Sequence, residues 1–260
     1  MIILLSPAKK LTIPAPKPNQ ILSEPALIAD AISLSEITRK LTTREIRQMM
    51  KLSDNLAELT FERFQALDLR NPLLGSPAVL TFAGDVYRGL NAASLSEKDL
   101  AFAQEHLRIL SGLYGVLRPL DVMQPYRLEM GRKLTTDRGE DLYDFWGSRI
   151  SKELNNCGSA ADPVVINLAS NEYFKSVDKT ALKAKIINPV FKEEKDGQQR
   201  ILSMFAKVAR GLMARWIIQN RITDAAQLKS FNIAGYCFQV EGSTDDKPLF
   251  VRPQPAKKQA

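Results

Sequence analysis

Histidine occurs once in the 260 residues, at His106, and cysteine twice, at Cys157 and Cys237. So few ligands exclude the clustered Cys and His sets that hold structural zinc or iron–sulfur centres, and no metal or other cofactor is expected. His106 follows Glu105 with no serine or cysteine nucleophile close to it in sequence, so it reads as a surface or packing residue rather than a general base. The cysteines lie far apart and read as free thiols of a reducing compartment. Walker, dinucleotide-glycine, HExxH and EF-hand patterns are all missing. No apolar run reaches membrane-spanning length, and Ile2–Leu5 meets Ser6-Pro7 too soon to be a secretion signal. There is no internal repeat and no low-complexity tract. These absences lead us to expect a soluble cytoplasmic protein with no membrane partner; a monomer is expected, although nothing in the sequence fixes the oligomeric state.

What the chain does have is a cationic excess. Lys plus Arg number 36 against 29 Asp plus Glu, a net charge of +7. Such a surplus suits a polyanionic partner, although it is also an ordinary solubility charge. The 45% hydrophobic content supports one domain over residues 1–252, with 253–260 as a disordered basic tail.

Ile2–Leu5 and Pro163–Leu168 are short continuous apolar runs of the kind found in fully buried strands, and Ala78–Phe82 reads the same way. Residues 14–25 carry four prolines and read as an irregular arm. Helical periodicity covers about 26–69, with a capped start at Thr42-Thr43-Arg44-Glu45 and a break at Ser53-Asp54. Ser96–Asp99 opens a helix expected to run to about Leu110. Hairpins are expected around Lys195-Asp196-Gly197 and around Gly242–Asp246, with a helix to Arg221 between them. The pattern predicts an α/β (α+β) fold with a mixed β-sheet flanked by helices and no standard topology.

Three segments carry chemistry. Leu110–Asp121 places Gly112 and Gly115 where a helix could enter, turn and leave, an arrangement similar to a helix-hairpin-helix DNA-binding element whose amides could hold a phosphate. The same glycines also read as a helix C-cap and a tight turn. From Gln198 to Thr223 there is no acid, and Lys207, Arg210 and Arg221 fall on one helical arc, which reads either as a binding face or as a solvated one. Finally, the loops after the three apolar runs would converge, if those strands are adjacent and parallel, on a cleft holding Lys9, Asp85, Tyr87, Ser170, Glu172 and Lys175.

Taken together, SPAKKL at 6–11, FAGDVYRGL at 82–90, LRILSGLYGVLRPLDVMQPYRLEMG at 107–131, NLASNEYFKSV at 167–177 and AKVARGLMARWIIQNR at 206–221 resemble the YaaA family of bacterial peroxide-stress proteins. Lys10 departs from the threonine of many relatives. The resemblance implies a cytoplasmic protein that limits iron-dependent peroxide damage. It also implies an unusual α/β fold with a positively charged cleft and a helix-hairpin-helix-like element that binds double-stranded DNA, especially bent or bulged forms.

On this basis Lys9, Lys10, Arg88, Arg118, Arg127, Arg132, Lys175, Lys207 and Arg210 are expected to line a phosphate-neutralising groove, with Gly112 and Gly115 admitting backbone amides. Tyr87, Tyr114 and Tyr126 are candidates either for base stacking or for packing. Binding is expected ahead of catalysis. The alternative is an enzyme acting on a nucleotide or nucleobase, with Asp85 or Glu129 as acid or base. Direct iron or haem handling ranks last, for want of ligands.

Overall fold

The computed structural model describes residues 1–14, 22–71, 74–157 and 162–254. Its centre is β1 (Ile2–Leu5), all of whose residues are buried. A short β2 (Lys10–Leu11) follows. Three helices come next: α1 (Ile28–Thr38), α2 (Thr43–Met50) and α3 (Asp54–Ala66). The start of α2 is the expected capping box. The Glu45 amide donates to Thr42 Oγ1, and the Thr42 amide donates to the Glu45 carboxylate at 2.8 Å. Most of the proline-rich arm lies outside the described residues.

The run at 78–82 departs from expectation. It folds as β3 (Ser76–Pro77), one helical turn α4 (Ala78–Thr81) and β4 (Phe82–Ala83), which pairs with β2. A five-residue run has no readable period, and here the Ala78 and Val79 amides are taken by the carbonyls of Asp121 and Pro119. Next come α5 (Asp85–Leu90) and α6 (Glu97–His106).

The helix expected to reach Leu110 stops at His106, because Leu107–Ser111 is β5, buried throughout and paired parallel to β1. After a three-residue turn β6 (Gly115–Leu117) pairs back antiparallel on β5. The segment similar to a helix-hairpin-helix is therefore a β-hairpin. β7 (Val122–Met123), α7 (Leu142–Trp146) and α8 (Arg149–Asn155) lead to β8 (Val164–Asn167), which is parallel to β1 on its other side. α9 (Asn171–Phe174) then crosses to β9 (Lys185–Ile187). The main sheet thus has the order β6-β5-β1-β8-β9, with only β6 antiparallel.

A second sheet, β11-β10-β13-β12, is built from two hairpins. β10 (Val190–Lys195) and β11 (Gln198–Arg200) join through Asp196 and Gly197, whose φ values of 52° and 71° are those of a tight hairpin turn. β12 (Cys237–Thr244) and β13 (Lys247–Pro253) form the other hairpin, so the ordered chain runs past residue 252; residues 255–260 lie outside the described residues. Between the hairpins α10 (Ser203–Gln219) crosses α5.

That crossing is unusually close. A Cβ on Gly211 would stand 1.9 Å from the Val86 carbonyl oxygen, and one on Gly89 2.2 Å from that of Val208. Only hydrogen fits at either position. Gly211→Ala should therefore cost about 3 kcal/mol or more, read as a lowered urea midpoint. Gly197→Ala meets no neighbour within 4 Å and should lose only the roughly 1–2 kcal/mol of a left-handed residue.

Candidate functional site

β1 and β8 lie side by side and parallel, so the turns that follow them leave the sheet together. Ligands in such sheets gather beyond the carboxyl ends of the strands. Two hydroxyls fasten the turns: the Ser170 amide donates to Ser6 Oγ at 2.8 Å, and Ser6 Oγ donates to Ser170 Oγ at 3.2 Å. A third segment is tied in by the Tyr87 hydroxyl, which donates to the Ser6 carbonyl at 3.0 Å. Burial pushes the Tyr87 phenol well above its ordinary pKa, which keeps it a neutral donor.

Between these segments and α10 lies a cleft of about 430 Å³, and its lining carries both signs of charge. Lys9, Lys10, Lys207 and Arg210 face it, and so do Asp85, Glu129 and Glu172. Glu129 organises one end. Its side chain is only 4% exposed, yet Lys9, Arg127 and Arg132 stand 3.4, 3.2 and 3.5 Å from its oxygens. One carboxylate thus serves three cations. Glu129 Oε2 and Arg132 Nε, which face each other, are both buried without a hydrogen-bond partner among the described residues.

Other cations of the cleft are less compensated. Lys10, Lys207 and Arg210 form no ion pair among the described residues. Desolvation pulls the Arg210 pKa below the ordinary arginine value, and no acid among the described residues works the other way.

The remaining expected residues fall elsewhere. Arg88 pairs with Asp85 at 3.2 Å near the cleft rim. Lys175 sits with its ammonium 4.5 Å from the centre of the Tyr143 ring, whose hydroxyl donates to the Glu172 carbonyl. Arg118 is not part of the cleft. It binds buried Asp121 at 3.0 Å and the Glu24 carbonyl at 2.8 Å. Arg221 leaves the basic arc altogether and pairs with Asp99.

Gly112 and Gly115 are buried. A Cβ on Gly112 would meet the Leu128 carbonyl at 2.2 Å, and Gly115, with φ 69°, lies against Trp146. Their small size admits protein neighbours, so their amides are not presented at the surface. Tyr114 and Tyr126 are buried as well and pack edge-on at 5.6 Å, so of the three expected tyrosines Tyr87 lines the cleft, together with Tyr173. The residue sequence reasoning undervalued is Glu129, weighed there only as an acid or base. The spacing Arg127-x-Glu129-x-x-Arg132 was its signal.

The geometry defines an α/β protein with a mixed-charge cleft at the carboxyl ends of parallel strands. Comparison with known proteins gives the family. Residues 1–241 match the model described as peroxide stress protein YaaA. The chain is 58% identical over 257 residues to a UPF0246 protein of Maricaulis maris, covering 98% of this chain and 97% of the relative. It is 53% identical over 256 residues to a UPF0246 protein of Caulobacter vibrioides, covering 98% of this chain and all of the relative. A UPF0246 protein of Phenylobacterium zucineum is 52% identical over a similar span. The chain belongs to the YaaA family of peroxide stress proteins.

Among the described residues no group of three or more His, Cys, Asp or Glu is placed to hold a metal ion, and no helix is long and apolar enough to cross a membrane.

Removing the Glu129 charge should be costly. Glu129→Gln leaves three cations facing one another and should lower stability by about 3 kcal/mol. Lys9→Ala, at a side chain 62% exposed, should change it by less than about 1 kcal/mol. Urea unfolding of both variants checks the contrast.

Proposed function

We propose that this peroxide stress protein binds DNA through its phosphates at the cleft, taking duplex or distorted forms and shielding them from iron-dependent oxidative damage. One observation carries the reading: Lys10, Lys207 and Arg210 face one cleft without an acidic partner among the described residues. Lys9 adds to them, since it shares a carboxylate that two arginines already contact.

Cations of one cleft that form no ion pair keep charge to offer a ligand, and a row of phosphates can take it up while releasing the counterions condensed on DNA. Phosphate contacts fix position and carry no sequence information, so the binding is sequence-tolerant. The interface is smaller than the sequence suggested, because Arg118, Arg127 and Arg132 are held by Asp121 and Glu129.

A second reading, an enzyme acting on a nucleotide or nucleobase, is favoured by the unbonded Glu129 Oε2 and by Asp85 in the same cleft. Asp85→Asn separates the two. A binder holds DNA as well or better once that negative charge is gone, whereas an enzyme using Asp85 as acid or base loses turnover.

Titration of duplex DNA across salt concentrations tests the main reading. With about four phosphates neutralised, log K should fall with log salt at a slope of about −3 to −4. Lys207→Ala and Arg210→Ala should each weaken binding and reduce the slope by about 1. Arg118→Ala should lower stability and leave DNA affinity unchanged. A flat salt response would overturn the reading.

A further inference from the structure

Across the turn that follows β8 lies a second hollow of about 210 Å³. Successive residues of the turn divide between the two spaces: Leu168 and Ser170 border the cleft, while Asn167 and Ala169 border the hollow. Arg210 borders both. The hollow has a different character from the cleft. Among the described residues that line it, Arg210 is the one charged side chain.

Much of its lining is apolar, including Pro189, Phe191 and Ala206, and Ile201 at its border is 60% exposed. The rest is amide. Asn167 is fully engaged: its Nδ2 donates to Asn188 Oδ1 at 2.9 Å, and its Oδ1 accepts the Ala169 amide at 3.0 Å. That bond fixes the Asn188 carboxamide with its oxygen occupied. Asn188 Nδ2, the Asn171 carboxamide and the Arg210 guanidinium have no hydrogen-bond partner among the described residues. The available polar groups are therefore rich in donors.

A small hollow with apolar surface and a few directed polar groups is the usual form of an organic-ligand site, and this one is smaller than the roughly 300–1,000 Å³ of a drug-sized pocket. It suits one planar ring system with acceptor atoms on its edge. A nucleobase has both features, two apolar faces and an edge of keto oxygens and ring nitrogens. Placing it here leaves the attached phosphate on the cleft side of the wall, within the field of Arg210 and Lys207. We propose that the hollow receives an unpaired base from a distorted DNA strand, with Arg210 bridging the base site and the phosphate site; the inference rests on the DNA-binding reading above. Pairing is already lost at a bulge, so entry costs least there, and preference for distorted DNA follows.

The test uses the full chain and two labelled duplexes of the same phosphate count, one with a single-thymine bulge and one with an abasic residue at the same place. The thymine duplex should bind about tenfold more tightly. Ala206→Leu, which fills the hollow, should abolish the difference while leaving abasic affinity unchanged. Asn171→Ala, at an exposed position, should narrow it without risk to the core.

Equal affinity for the two duplexes, with binding still weakened by Lys207→Ala, would overturn the base site and leave the phosphate cleft standing. A tenfold difference that survives in both hollow variants would overturn it too. No measurable binding of either duplex would overturn the DNA reading and, with it, this inference.

Discussion

The cleft depends on the contact between two backbones. Where α5 and α10 cross, Gly89 and Gly211 bring main chain against main chain, and any side chain there would push the helices apart. α5 carries Asp85 and Tyr87, and α10 carries Lys207 and Arg210, so the crossing sets two walls of the cleft at once. Tyr87 passes the constraint on, because its hydroxyl holds the Ser6 carbonyl, and Ser6 in turn holds Ser170. Packing far from solvent thus determines how the polar groups stand at the surface.

Charge is distributed along the cleft with equal economy. At one end Glu129 gathers Lys9, Arg127 and Arg132 around a single buried carboxylate. Elsewhere in the cleft Lys207 and Arg210 project from a helix whose first turn carries no acid. A buried carboxylate shared among three cations serves as a framework, while cations left without partners are free to meet a ligand. The net charge of the whole chain could not reveal this division, because it counts both kinds alike.

Much of the frame was legible in the sequence. Ile2–Leu5 and Val164–Asn167 read as buried strands because both faces of a parallel strand are covered, and their apolar runs are continuous. The box at Thr42 and the turn at Asp196-Gly197 were legible because each needs particular residue types at fixed offsets. Other elements were not. Ser96 and Asp99 marked where α6 begins, but nothing local marks its end, since Leu107–Ser111 becomes a strand only through its partner β1 a hundred residues away. Gly112 and Gly115 misled for a related reason. A close approach demands glycine whatever approaches, and here the neighbours are the Leu128 carbonyl and the Trp146 ring rather than a phosphate. Neutralisation of Arg118 by Asp121 was within reach at i,i+3 spacing, whereas the gathering of Lys9 onto Glu129 is a property of the fold alone.

The position of β1 has a consequence for how the chain comes into being. It precedes both of its partners in the chain yet lies between them in the main sheet, and they begin at Leu107 and Val164. During synthesis, four wholly apolar residues wait for Leu107–Ser111 before one edge is paired and for Val164–Asn167 before the other is. Closing loops of that length makes assembly slow, and an unpaired apolar strand invites association with other chains. The same central strand that anchors the finished cleft is therefore the segment of the growing chain most exposed to association before its partners arrive.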